Sequence, residues 1–232
     1  MISRRSREYV KIASVIVLVL FVSLVYIKSI YATDTCDTDK ALCNTDQALS
    51  LPLALSAIPE PSVSTPDWMN IRATFTYSIS TRGTITADLS EFKQQANATL
   101  NDSKGWSRLG IQFNEVASGG NFVLYLSEAS QVPSFAPTVC SELWSCSVGS
   151  SVIINQDRWL GATSAWNNGG GNLRDYRHMV INHEVGHWLG HGHSQCSGAG
   201  QLAPVMQQQS IDLQGCTFNP WPLDDELWTS KL

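Results

Sequence analysis

The sequence predicts an α+β fold, and three observations point to it. Strand-like runs with apolar residues two apart come early, and a single helical run interrupts them. The longest periodic run is a late helix, followed by an irregular tail. Ile71 to Ser80 opens the folded part, with Phe75, Tyr77 and Ile79 on one face. From Asp88 to Leu100, Leu89, Phe92, Ala96 and Leu100 recur at helical spacing. Ile111 to Val116 and Asn121 to Leu126 read as two more strands, divided by Ser118-Gly119-Gly120. Gly149 to Gln156, with Val152, Ile153 and Ile154, is a fourth. A glycine-rich loop at Gly169-Gly170-Gly171 then leads into a helix over Leu173 to Leu189, with Asn172 as its N-cap. The expectation is a mixed sheet packed on that last helix.

Composition supports a sizeable core. The chain has 232 residues, 43% hydrophobic and 15% charged, which argues against disorder. Three regions follow. Residues 1–32 carry Arg4, Arg5, Arg7 and Lys11 ahead of an uncharged run from Ile12 to Ile27, with Lys28 after it. That is a membrane-targeting segment with its N-terminus inside. The run is long for a signal-peptide core and short for a span unless Ser29 to Ala32 are added. A signal anchor is favoured over a cleaved signal peptide, and either exports the rest. Residues 33–66, with Pro52, Pro59, Pro61 and Pro66, read as an extracytoplasmic linker; a pro-segment is the alternative. Residues 67–232 form the domain.

Export changes the charge argument. Residues 1–32 hold five of the 15 Lys+Arg and one of the 20 Asp+Glu, so the remainder carries a net charge of −9. Such a surface repels phosphates and excludes nucleic acid as a partner. The six cysteines, Cys36, Cys43, Cys140, Cys146, Cys196 and Cys216, all lie in the exported part. An even count there reads as disulfides. Fifteen pairings are possible; proximity favours Cys36–Cys43, Cys140–Cys146 and Cys196–Cys216.

The chemistry concentrates in the late helix. All five histidines fall between His178 and His193, four of them within the run His183-Glu184-Val185-Gly186-His187-Trp188-Leu189-Gly190-His191-Gly192-His193. Residues four apart share a helix face, so His183 and His187 can grip one ion, with Glu184 beside them as general base. Gly190 ends the helix and lets the chain return His193 as third ligand. His191 is the rival third ligand, but it follows the turning glycine too closely to reach back. Three nitrogens leave one tetrahedral position open, the arrangement of a catalytic Zn²⁺ site. Average residue usage yields a bare His-Glu-x-x-His in about one chain per hundred of this length, and the added Gly and His lower that by a factor on the order of a thousand. A helix rich in histidine by accident is therefore set aside.

His183-Glu184-x-x-His187-x-x-Gly190-x-x-His193, with Met206 downstream in Pro204-Val205-Met206, resembles the metzincin signature. Asn182 to His193, Ala203 to Gln208, Gly215-Cys216 and Asn219-Pro220-Trp221-Pro222 are also similar to a group of exported actinobacterial zincin-like proteins. That similarity covers about residues 67–228 and implies a zincin-like fold and peptidase activity, with no substrate. It implies that Met206 forms a structural turn beneath the zinc. Some metzincins carry a tyrosine two residues after that methionine; here the position is Gln208, so its role stays unassigned. A Cys196–Cys216 disulfide would staple this turn. In the zincin plan an edge strand pairs with extended substrate, and Ser151 to Gln156 is the candidate.

The expected function is an exported zinc endopeptidase acting on a protein or peptide. A zinc amidase acting on cell-wall peptides and a non-catalytic, zinc-stabilised binding module are the alternatives, and Glu184 speaks against the last. His191 is expected as a solvated loop residue and His178 as a packing or surface residue. Asp175 and Glu115 are candidate carboxylates to orient the ligand rings. Trp144, Trp159, Trp166 and Trp188 are read as core before pocket, and Asn219 to Pro222 as a rigid extended tail.

Overall fold

The computed structural model describes residues 70–232. The expectations for residues 1–32 and 33–66, and for Cys36 and Cys43, lie outside the described residues. Among those described, no helix is long and apolar enough to cross a membrane.

Five strands form one mixed sheet: β1 (Ala73–Arg82), β2 (Ile111–Glu115), β3 (Phe122–Ser127), β4 (Cys146–Val148) and β5 (Ser151–Asn155). Their spatial order is β2-β1-β3-β5-β4, all parallel except β4, which runs antiparallel to β5. With its helices this is an α+β architecture. The register sets Tyr77 beside Phe122, Leu124 beside Val152 and Leu126 beside Ile154. These side chains share one face, which is buried in the main core with Phe92, Trp159, Trp188 and Met206. Ile153 points the other way, yet it too is fully buried, packed with Val132, Cys140 and Cys146. Both faces of β5 are covered, which explains why its apolar run does not alternate with polar residues.

The helices are α1 (Leu89–Leu100), α2 (Gln156–Gly161), α3 (Ser164–Asn168) and α4 (Leu173–Leu189). Asp88 caps α1 by accepting from the backbone N–H of Ser90 and Glu91, at 2.8 and 3.1 Å. Phe92, Ala96 and Leu100 form its buried stripe. Asn172 caps α4 through Asp175 N–H at 2.8 Å, as its position in the sequence suggests. Unlike a surface helix, α4 is buried almost all round, and most of its buried polar side chains are paired. Arg177 reaches Glu91 at 2.6 Å and the Trp159 carbonyl at 2.9 Å, and His178 Nδ1 meets Thr99 Oγ1 at 2.8 Å. His178 is thus a packing residue between α4 and α1.

One expectation is corrected. The strand at Ser151–Asn155 is not the sheet edge, because β4 lies outside it. It does not lead straight into α4 either, since α2 and α3 intervene. β4 is three residues long, too short for its alternation to stand out; a tight turn and the Cys140–Cys146 disulfide bring it into the sheet.

Candidate metal centre

α4 presents His183 and His187 one turn apart, with ring centroids 4.8 Å from each other. Gly190 ends the helix in the left-handed region (φ 110°), and His191 N–H returns to the Gly186 carbonyl at 3.0 Å. Two residues later His193 comes back over the helix end, its ring 4.7 Å from that of His187 and 5.3 Å from that of His183. One ligand atom from each of the three rings lies within 4.8 Å of the others. His193 joins the cluster; His191 does not.

Hydrogen bonding decides which nitrogens converge. His183 Nδ1 donates to the Val205 carbonyl at 2.8 Å, and His187 Nδ1 to the His191 carbonyl at 2.9 Å. With the proton held on Nδ1, the lone pair is on Nε2. His187 Nε2 lies 3.2 Å from His193 Nε2. Two nitrogens each ~2.0–2.1 Å from a tetrahedral zinc would stand about 3.3 Å apart, so this spacing fits the ion. Burial keeps the rings neutral, which is the ligating form. It pushes His183 down to about 3, helped by the neighbouring His187, and lowers His187 and His193 in the same direction.

Glu184 follows His183 on the helix and is only 5% exposed. It makes no hydrogen bond to another described residue, and burial raises its carboxyl to about 8. It lines a cleft of about 480 Å³ that also holds all three cluster histidines. One wall of the cleft is α4 from Tyr176 to His187, the opposite one is β4 and the loop before it, and residues 208–211 close the end. Trp144 lines that cleft, whereas Trp159, Trp166 and Trp188 belong to the core. Gln208 also reaches the cleft.

Met206 is fully buried. Its sulfur occupies the space that a side chain on Gly186 would need, with Trp106 2.9 Å from the same point. Gly186, between the two helical histidines, is what allows this turn to pack so closely. Cys196–Cys216 closes a loop around Met206, and Cys140–Cys146 anchors the start of β4, both as proximity suggests. Two disulfides accord with an oxidising, extracellular setting.

Two further expectations are corrected. His191 is not a solvated loop residue: it is 7% exposed, with its ring between Trp106 (4.9 Å) and Trp228 (4.1 Å). Among the described residues no carboxylate hydrogen-bonds the clustered rings; Asp175 serves the α4 cap through Asn172, and Glu115 ends β2 at the sheet edge. Asn219 is held firmly, since its amide and backbone bond Ala203, Gln209 and Trp221. Tyr176 escaped sequence reading. Its hydroxyl bonds Ser210 Oγ at 2.9 Å on the cleft wall, and burial raises it to about 12. Its place seven residues before His183, on the same helix face, is the signal that marks it.

No curated protein matches the chain. A family model described as "Protein of unknown function (DUF3152)" matches residues 56–220. The match takes in His183, Glu184, His187, His193 and Met206 and well over half of the sequence, so the chain belongs to the DUF3152 family.

Proposed function

We propose that this chain is a zinc-dependent endopeptidase of zincin-like fold, acting outside the cytoplasm on an extended protein or peptide substrate. The observation that carries this reading is three convergent imidazoles sharing a cleft wall with a buried carboxylate. Zinc, when bound, supplies Lewis acidity and lowers the pKa of water towards ~7, the chemistry that amide hydrolysis requires. His183, His187 and His193 would hold it. Glu184 takes the proton of the attacking water on a carboxylate oxygen and delivers it to the departing amine nitrogen. Its position supports that role, because it is buried on the wall of the cleft that the three imidazoles share, directly after His183 on the helix.

The substrate chain lies along β4. That strand pairs only with β5 among the described residues, so its outer edge offers backbone groups for strand addition. Ser145 to Ser147 border the cleft at the same place. Met206 handles no proton; it supports the helix from beneath at Gly186.

The test is metal analysis together with digestion of a peptide library by the wild type and by Glu184→Gln. The expected outcome is one zinc per chain in both proteins and cleavage by the wild type alone, with turnover in the variant lower by ~10²–10⁴-fold. Equal cleavage by the variant contradicts the role of Glu184.

A further inference from the structure

Both helix-borne histidines are oriented by backbone carbonyls, so whatever fixes those carbonyls fixes the ligands. The Val205 carbonyl, which accepts from His183, belongs to the same peptide group as Met206 N–H. That N–H donates to Glu226 Oε1 at 2.8 Å, while Val205 and Leu223 N–H donate to Glu226 Oε2 at 2.9 and 2.8 Å. Glu226 is 5% exposed and forms no salt bridge among the described residues. A buried carboxylate is costly unless its oxygens are hydrogen-bonded. Here three amides of two turns supply the bonds, and charge-assisted bonds are about twice as strong as neutral ones. Drawing Met206 N–H towards a carboxylate polarises the peptide and makes its oxygen a better acceptor for His183.

The second carbonyl is held from the same segment. His191, whose carbonyl accepts from His187, donates its Nε2–H to the Trp228 carbonyl at 2.9 Å and packs its ring against that of Trp228, tilted by 42°. Trp228 is itself tied to Glu226 by a backbone bond of 2.9 Å. Thr229 Oγ1 and Ser230 N–H then close the end of α4 on the Leu189 carbonyl, at 2.7 and 3.3 Å. These contacts lie past residue 220, where the family match ends.

We propose that the segment from Leu223 to Ser230 is a clamp for the metal centre, with Glu226 positioning His183 through the Val205–Met206 peptide and Trp228 positioning His187 through His191. The clamp rests on the zinc reading of the cluster. Neither residue touches the ion or the substrate. Partners at this remove from a metal change its affinity by about 10–100-fold when lost.

The experiment measures zinc dissociation constants by competition with a chromophoric chelator, and visible absorption after cobalt(II) substitution, on full-length protein. The variants are Glu226→Gln, a chain ending at Leu227, and Asp224→Asn as a control. Asp224 is in the same segment, but its side chain is exposed and pairs with Arg108. The clamp predicts about 10–100-fold weaker zinc binding and a shifted cobalt band in the first two variants. Asp224→Asn should stay within about twofold of wild type. Circular dichroism in chelator shows whether each variant folds without metal; should Glu226→Gln not fold, the chain ending at Leu227 decides, because it retains Glu226. Zinc affinities within about twofold of wild type and an unchanged cobalt band overturn the clamp, even if thermal stability falls. A wild-type protein that binds no zinc overturns the reading of the cluster itself, and the clamp with it.

Discussion

Glu184 shows how one buried side chain couples chemistry to stability. Its carboxyl is raised from 4.5 to about 8 by burial, so the folded state favours the protonated form. For a raised carboxyl, the stabilising contribution is complete below the unfolded pKa and is lost as pH rises through the folded one. In zinc-free protein, Glu184→Gln is therefore expected to raise Tm by several degrees at pH 8 and above. The gap should close as pH falls towards 4.5, as differential scanning fluorimetry in chelator would reveal. A pH-independent difference would contradict the buried state of this carboxyl. At this scale His183, Glu184, His187 and His193 were legible, because helix periodicity and a single glycine encode their meeting. The burial of His191 was not: it depends on Trp106 and Trp228, which lie far from it along the chain and have no spacing that links them to it.

Among the elements, β4 and its disulfide matter most for the proposed substrate groove. β4 is short and held by one neighbouring strand, so Cys140–Cys146 supplies order that pairing alone does not. Removing both cysteines, as Cys140→Ser with Cys146→Ser, should cost about 2 kcal/mol in the loop-entropy model. Because the loop walls the cleft but supplies none of the converging histidines, KM for a cleaved peptide should rise several-fold with zinc content unchanged. Steady-state kinetics and metal analysis of the double variant check this; loss of zinc would place the disulfide in the metal centre instead. The α4 helix, α1 and the other four strands follow from apolar spacing in the sequence. β4 does not, because Cys146-Ser147-Val148 is too short to show a period, and which strand takes the edge is settled by long-range pairing. The covering of the second β5 face, that of Ile153, is likewise set by residues 132–146, not by β5.

Viewed as a whole, the domain is arranged around α4. The sheet and α1 bury its flanks, the disulfide-stapled turn at Met206 presses on Gly186, and the last residues close its end. That arrangement explains how polar residues sit in the interior of a helix: nearly every one has a partner from a different part of the chain. It also explains why the fold class and the histidine cluster could be read from local patterns, whereas the outer support of those histidines could not. Glu226 meets Val205 and Met206 across some twenty residues of irregular chain, with no motif between them. The most direct measurement is zinc-edge X-ray absorption on the purified, zinc-loaded protein. Three imidazole nitrogens at ~2.0–2.1 Å plus one light atom are expected, with one imidazole lost in each of His183→Ala, His187→Ala and His193→Ala. Sulfur in the coordination shell, or a spectrum unchanged by those substitutions, would contradict the account.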